Sequence, residues 1–274
     1  KVWFDGEALD PEEVLANAPR TIYTQLVKVD KSAHELDKTV ALLKAVGLAQ
    51  IRSRADIRPG IQLADEEKTI ARARVAAARA SRGDALVLAL CVGARFKQKD
   101  WGVEKFAGLL GRLSARRPVV AFLLGDRSDR ERCEEIRTRA GNLSREKAQE
   151  LQKKGPVVRR PSSVVCVLAG ELTVRESIAL IAECDLCVGN DTFGLHAAIA
   201  VGTPSVVVMG GGDFPRWAPW GDPARHRMAN TPTDCFGCGW QCLYPECRCI
   251  TEVPADLVAD MALELLVARE RKLS

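Results

Sequence analysis

The sequence predicts an α/β protein built on a doubly wound parallel sheet. From residue 84 onward, short β-branched apolar runs alternate with stretches of helical period, the pattern of parallel strands joined by crossover helices. Most of these runs are closely followed by glycine, as at Gly93, Gly125, Gly170 and Gly210. The longest runs, "PVVAFLLG" and "SVVVMG", are strand-sized. They fall well short of the roughly 18 to 20 residues that span a bilayer.

"ALVLALC" reads as the first buried strand, and "GVEKFAGLLGRLSAR" as the helix after it. "PVVAFLLG" is the second strand, and the Arg- and Glu-rich stretch from Asp129 to Lys154 suits exposed helices. "SVVCVLAG" is the third. "VRESIALIAEC" then sets Ile178, Ile181 and Ala182 on one helical face. "DLCVG" is the fourth strand and "SVVVMG" the fifth, with a helix between them that Gly202 and Thr203-Pro204 stop. Regular periodicity vanishes from Gly210 to Ile250, a loop length that is usually functional or cross-linked.

These elements imply three segments. Residues 1–80 are mainly helical ("PEEVLANA", "AHELDKTVALLKAVGL", "DEEKTIARARVAAARASRG") and read as the tail of a domain whose start is absent. Residues 84–252 hold the sheet, with a cysteine-rich loop at 235–249. Residues 253–274 form an amphipathic helix with basic residues at its end. The opening "KVWFDGEALD" has neither initiator Met nor signal-peptide pattern, as expected of a piece of a longer product.

Composition narrows the function classes. The chain is 47% hydrophobic and 28% charged, the balance of a globular protein. Its net charge of +4 is too small to argue for nucleic acid and suits an anionic small ligand or a membrane surface. The default compartment is a reducing cytoplasm, with peripheral association at the inner membrane face open to a chain without a span.

Ligands of open α/β sheets bind outside the carboxyl ends of the strands. There "GNDTFGLH" offers Asn190 or Asp191 as a helix cap, the amides of Thr192, Phe193 and Gly194 as an anion site, the Thr192 hydroxyl, and His196 as a further donor. Asp191 would repel a phosphate, so it is expected to order the loop or accept from a hydroxyl. A plainly capped helix with a satisfied His is the competing reading. In "GARFKQKDW", Gly93 follows a strand and Lys99 stands before a helix near Trp101, placed to neutralise a phosphate; Lys97 competes, as does a solvated role for Lys99. Trp101 is expected to pack under the loop. Asp126 or Asp129 could accept from ribose hydroxyls.

Taken together, these residues resemble the carboxyl-terminal half of the family 9 glycosyltransferases, heptosyltransferase-like enzymes of the two-Rossmann GT-B architecture. Gly93, Lys99 and Trp101 match the family's strand–glycine–Lys-x-Trp signature, and Asp191 to Gly210 resembles its Asp-Ser/Thr-Gly-x-x-His loop, helix, Gly-x-Pro and strand. "AGELTVRESIALIAECDLCVGND", "PRWAPWG" and "HELDKTVALLKAVGL" are similar to further family segments, so the resemblance runs over residues 30–270. One departure is clear: glycine falls one place late, with Phe193 after Thr192.

The resemblance implies a nucleotide-diphosphate-sugar donor and inverting transfer without a catalytic metal. The sugar, a heptose among the candidates, would pass to a cell-envelope glycan, a lipid-linked acceptor or a protein. Lys99, Thr192, Gly194 and His196 would stabilise the leaving diphosphate. The family's base, a first-domain carboxylate, has no match here and stays unassigned. A non-catalytic nucleotide-sugar-binding module is the alternative, and a metal-dependent interaction domain a third.

Cys235, Cys238, Cys242, Cys247 and Cys249 fall in one loop, and the first pair has knuckle spacing. Cys235, Cys238, Cys242 and either Cys247 or Cys249 would hold a structural zinc or iron. Reduced thiols packing the loop, or disulfides, are the competing readings. The scattered Cys91, Cys133, Cys166, Cys184 and Cys187 read as buried small hydrophobes.

Overall fold

The computed structural model describes residues 27–30, 32–48, 50–80, 82–83, 85–153, 163–217 and 220–273. Two compact units result: residues 1–58 with 213–218, and residues 59–212 with 219–274. The expected helix over "PEEVLANA" lies outside the described residues.

In the first unit, α1 (Glu35–Ala45) starts at His34, whose Nδ1 accepts from the Leu36 amide at 3.1 Å. Glu35 accepts from Lys38 Nζ at 2.9 Å and from Arg216 Nε at 3.0 Å. Burial pushes the Glu35 carboxyl up, but these two cations outweigh it and its pKa lies below the ordinary value. A 3-10 turn follows at Arg54–Asp56.

The second unit is one sheet of six parallel strands: β1 (Leu86–Cys91), β2 (Val119–Leu124), β3 (Ser163–Val167), β4 (Leu186–Asn190), β5 (Ser205–Val208) and β6 (His226–Ala229). Their order is β3-β2-β1-β4-β5-β6, so the winding reverses between β1 and β4. The helices are α2 (Asp65–Ala80), α3 (Val103–Ser114), α4 (Arg130–Lys153), α5 (Val174–Glu183), α6 (Phe193–Val201), α7 (Arg248–Thr251) and α8 (Ala255–Leu273). The doubly wound parallel sheet expected from the alternating runs is what the chain forms.

Alternation along β1 sorts the two cores. Leu86, Leu88 and Leu90 pack with Phe106, Leu109 and Leu110 of α3, Ile136 of α4 and Val258 and Ala262 of α8. Val87, Ala89 and Cys91 point to the other face, with Val75 of α2, Ile178 and Ile181 of α5 and Ala197 and Ala198 of α6. Both faces are covered, which is why β1 and β2 read as continuous apolar runs rather than as alternating ones. Each fully buried leucine contributes about 2 kcal/mol. An exposed pair such as Arg139–Glu135 contributes about 0–1 kcal/mol. The layers are therefore held by the leucines, not by the charges.

Several expectations need correction. The stretch from Asp129 to Lys154 is a short 3-10 turn and then a single helix, α4, whose Cys133, Ile136 and Ala140 are fully buried. Residues 65–80, grouped from sequence with the opening segment, pack in the second unit as α2. There Arg72 pairs with Glu183 at 3.0 Å and Arg175 with Glu67 at 2.5 Å. The loop from Gly210 to Ile250 contains β6, a four-residue strand too short and mixed in polarity to show a period. Gly202 ends α6 in the left-handed region at φ 76°, as its position after the helix predicts.

His226 on β6 is buried, its Nδ1 2.9 Å from Ser205 Oγ on β5. Burial first, then the charge of Arg225, lowers its pKa to about 4, with Asp222 opposing. Unfolded, the imidazole titrates near 6.5, so this group's contribution is intact above that pH and lost as pH falls toward 4. Between pH 7 and pH 5 the loss should be about 2 kcal/mol. His226→Asn should flatten the fall in chemical-denaturation stability over that interval; an equal slope in both proteins would contradict this origin.

Candidate functional site

A cavity of about 660 Å³ opens at the carboxyl ends of four neighbouring strands. Gly93, Ala94 and Arg95 follow β1; Gly125, Asp126, Ser128 and Asp129 follow β2; Leu172, Val174 and Ser177 follow β3; Thr192, Phe193 and Gly194 follow β4. Cys91 and Leu124, at the strand ends, complete the lining. The cavity spans the switch point between β1 and β4, where the order of an open sheet leaves a crevice.

The loop after β4 is fixed from below. Asn190 ends the strand fully buried; its Nδ2 donates to the Val92 carbonyl at 2.9 Å and its Oδ1 accepts from the Trp101 amide at 3.2 Å. The cap is therefore Thr192, not Asn190 or Asp191. Its own amide is also spent, donating to the Asn190 carbonyl at 2.8 Å, so the expected anion site loses that group. The Thr192 hydroxyl makes only long contacts, 3.4 Å to the Gly93 carbonyl and 3.5 Å to the Asn190 carbonyl, and does not cap α6. The amides of Phe193, Gly194 and Leu195 are the first of the helix and have no acceptor within it.

Two other backbone starts beside the cavity are closed by their own side chains. α5 carries a capping box between Thr173 and Glu176, and the turn at Arg127–Asp129 carries one between Asp126 and Asp129. Only α6, among these three, opens without a side-chain cap.

Lys99 and Asp191 come together but do not line the cavity. Lys99 Nζ donates to Asp191 Oδ2 at 2.8 Å, with side chains 12% and 4% exposed, so the pair lies beneath the loop. The Lys99 ammonium also sits 5.1 Å from the centroid of the Trp240 ring. His196 lies one turn into α6, its ring 5.9 Å from that of Trp220. Burial lowers its pKa, Asp191 opposes and Lys99 adds to the fall, which leaves a neutral imidazole at pH 7. Trp101 packs under the loop as expected, its Nε1 donating to the Val253 carbonyl at 2.9 Å and its ring edge-on to Phe106.

Asp126 and Asp129 both reach the cavity, in different states. Asp126 accepts from the amide and hydroxyl of Ser128, each at 2.6 Å, which hold its carboxyl below the usual range. Asp129 is half-buried between two glycines: a Cβ on Gly93 would lie 2.4 Å from its Oδ2, and one on Gly125 2.5 Å from it. Burial therefore raises the Asp129 pKa. Those glycines make room for a carboxylate of the chain rather than for a ligand, a use their position after a strand did not disclose. Gly210, Gly211 and Gly212 are likewise taken up, by Ile250, Phe236 and the Trp240 ring respectively.

The cysteine loop packs on this triglycine segment. Cys249 Sγ accepts from the Gly211 amide at 3.4 Å, Cys242 and Cys247 sulfurs stand 3.0 Å apart, and Cys235 meets the Thr233 hydroxyl. Among the described residues no three His, Cys, Asp or Glu side chains are grouped as a metal-ligand set. Burial raises the Cys249 thiol, and the nearby Cys235, Cys242 and Cys238 raise it further.

Sequence reasoning missed Arg95, Ser128, Ser177, Leu172 and Val174. Arg95 stood in plain view between Gly93 and Lys99, but a helix-entry lysine was the stronger signal. The structure leaves Arg95 exposed at the cavity without an ion-pair partner among the described residues. The apolar pair Leu172 and Val174 carries no sequence signal beyond hydrophobicity.

Gly194 is required by packing: a Cβ there would stand 2.4 Å from Cys91 Sγ and 2.5 Å from its Cβ. Gly194→Ala should cost about 1–3 kcal/mol in unfolding free energy by overpacking. Cys91→Gly in the same chain should recover part of it, measured by a double-mutant cycle in denaturant; strictly additive effects would show that the two do not touch.

Comparison with known proteins agrees with this architecture. The family model for glycosyltransferase family 9 (heptosyltransferase) matches residues 17–239. Lipopolysaccharide heptosyltransferase 3 of Escherichia coli is 31% identical over 122 residues, 44% of this chain and 30% of that protein. The structure of E. coli ADP-heptose lps heptosyltransferase II superimposes with TM-score 0.62 at 20% identity, over 89% of this chain and 66% of that one. The family 9 glycosyl transferase from Veillonella parvula gives TM-score 0.66 at 16% identity, over 91% of this chain and 64% of that one. The chain thus spans less than two thirds of the length of these relatives. With its parallel sheet, its switch-point cavity and a family match over most of its length, the chain belongs to glycosyltransferase family 9, the heptosyltransferase family.

Proposed function

We propose that the cavity binds the donor of a sugar transfer, a nucleotide-diphosphate sugar, and that the chain is the donor-binding half of an inverting glycosyltransferase. The observation that carries this reading is the uncapped start of α6, opening on the cavity beside the exposed guanidinium of Arg95. Free amides, the helix dipole and a planar cation together recognise a diphosphate. Asp126 and Asp129 stand where ribose hydroxyls could donate, and Leu172, Val174 and Phe193 supply an apolar wall for a base. As the bond to the anomeric carbon breaks, charge grows on the leaving diphosphate. A donor aimed at it in such a site is worth about 3–4 kcal/mol.

In this reading Lys99, paired with Asp191, and neutral His196 support the loop from behind, while Arg95 takes the facing role expected of Lys99. A relative's name supplies the candidate donor, ADP-heptose, and an envelope glycan, lipid-linked or protein acceptor completes the reaction. No helix among the described residues is long and apolar enough to cross a membrane.

Calorimetry with ADP, UDP, GDP and TDP tests the site. At least one should bind, and Arg95→Ala should weaken it about tenfold or more while leaving the free nucleoside unchanged. Absence of binding by all four, or an Arg95→Ala protein with wild-type affinity, removes the assignment.

The cysteine loop supports a second, structural role. In that role Cys235, Cys238, Cys242 and either Cys247 or Cys249 would hold a structural zinc or iron ion as thiolates, drawn together from the looser arrangement described above. Metal analysis of the purified protein should give one equivalent, lost in Cys235→Ser/Cys238→Ser together with thermal stability. A metal-free wild type of full stability would leave the loop as packed thiols.

A further inference from the structure

Trp240 is the only non-glycine residue with positive φ among those described, at 65°. A bulky side chain stays in the left-handed region only where its surroundings over-determine it. Here they do. Its ring fills the space that a Cβ on Gly212 would need, with ring atoms 2.2 to 2.6 Å from that position. The adjoining Gly239 amide donates to the Gly212 carbonyl at 3.0 Å, and the Gly237 amide to the Gly211 carbonyl at 2.9 Å. The ring is thus clamped to the segment after β5, and its face meets the Lys99 ammonium at 5.1 Å. On its other side that ammonium donates to Asp191 at 2.8 Å, directly before the Thr192 cap of α6.

We infer that Trp240 is a positioning residue for the donor loop: it holds Lys99 on Asp191, so that the carboxylate before the open end of α6 is neutralised. This rests on the donor-site reading above and adds a residue from the cysteine loop to it. The physical logic is a two-sided grip. A lysine ammonium is strongly hydrated and rides on a flexible stem. The aromatic face offers it an attractive, water-excluding surface, so the ammonium stays on the carboxylate without a hydration shell. Remove the ring and water can compete at Lys99, the pair loosens, and Asp191 regains a charge that opposes a bound diphosphate.

The test compares Trp240→Leu with Trp240→Phe, since phenylalanine keeps an aromatic face and leucine only bulk. In the unliganded protein, acetylation of Lys99, read by peptide mass spectrometry, should be about fivefold or more faster in W240L and within about twofold of wild type in W240F. Affinity for ADP should fall about tenfold in W240L only, with adenosine unaffected. If W240L does not fold, biosynthetic fluorotryptophans of rising fluorine number replace it: they weaken the ring's negative face at nearly constant shape, and Lys99 labelling should climb along the series. Equal labelling in wild type and W240L, equal effects of Leu and Phe, or a flat fluorine series would overturn the inference. A wild type that binds no nucleotide diphosphate would remove the donor site, while the labelling still judges the hold of Trp240 on Lys99.

Discussion

The close seating of α6 on the end of β1 is the contact on which the site depends. Gly194 lies against Cys91 with no room for a Cβ, and Asn190 stitches the end of β4 to the loop after β1 through Val92 and Trp101. Neither bond is strong alone; a neutral hydrogen bond nets about 1 kcal/mol. Their value is geometric. Asn190 is fully buried, so breaking either bond would strand a polar group in a dry interior, which costs about 1–3 kcal/mol. The first turn of α6 is therefore aimed at the cavity by the same packing that closes the sheet.

That constraint explains why one helix start differs from its neighbours. All three residues have extended backbones, but the side chains of Thr173 and Asp126 fold back to accept from the amides that follow them, whereas Thr192 turns its hydroxyl toward the carbonyls of Gly93 and Asn190. An exposed helix start would lose only water by staying open. The α6 start opens on the cavity that Leu172, Val174 and Phe193 also line, and under the proposed function an acidic ligand is the partner for its first amides.

The fold was legible because it is written in burial. β1 and β2 are buried on both faces, so their runs carry no polar interruption, and glycine and Thr-Pro punctuate α6 as local chemistry demands. β6 was not legible: four residues with two half-buried positions cannot set a period. At the site, the strand-end loops and the residues Gly93, Asp126, Asp129, Thr192, Phe193 and Gly194 were found from sequence and do share the cavity. What the sequence did not disclose was how some neighbouring residues are used. Spacing alone could not show that Gly93 yields space to Asp129, that Asn190 belongs to the strand, or that Lys99 turns to Asp191 rather than to the cavity. Those are facts of tertiary approach, between residues about thirty to ninety apart in sequence.

The pairing of Lys99 with Asp191 also resolves an electrostatic conflict in the loop. A carboxylate directly before an open helix start should repel the anion that the start attracts. At an effective dielectric of about 20, two like charges ~5 Å apart oppose each other by roughly 3 kcal/mol, as much as a good phosphate contact returns. Lys99 at 2.8 Å cancels most of that field at its source. The burial of both side chains makes the cancellation insensitive to salt, since mobile ions cannot enter between them. Asp191 can then anchor its backbone, whose amide donates to the Val208 carbonyl at 3.1 Å, without imposing its charge on the cavity. In the proposed site the lysine thus screens the carboxylate nearest the open helix start, and the guanidinium of Arg95 stands on the same cavity wall as the carboxylates of Asp126 and Asp129.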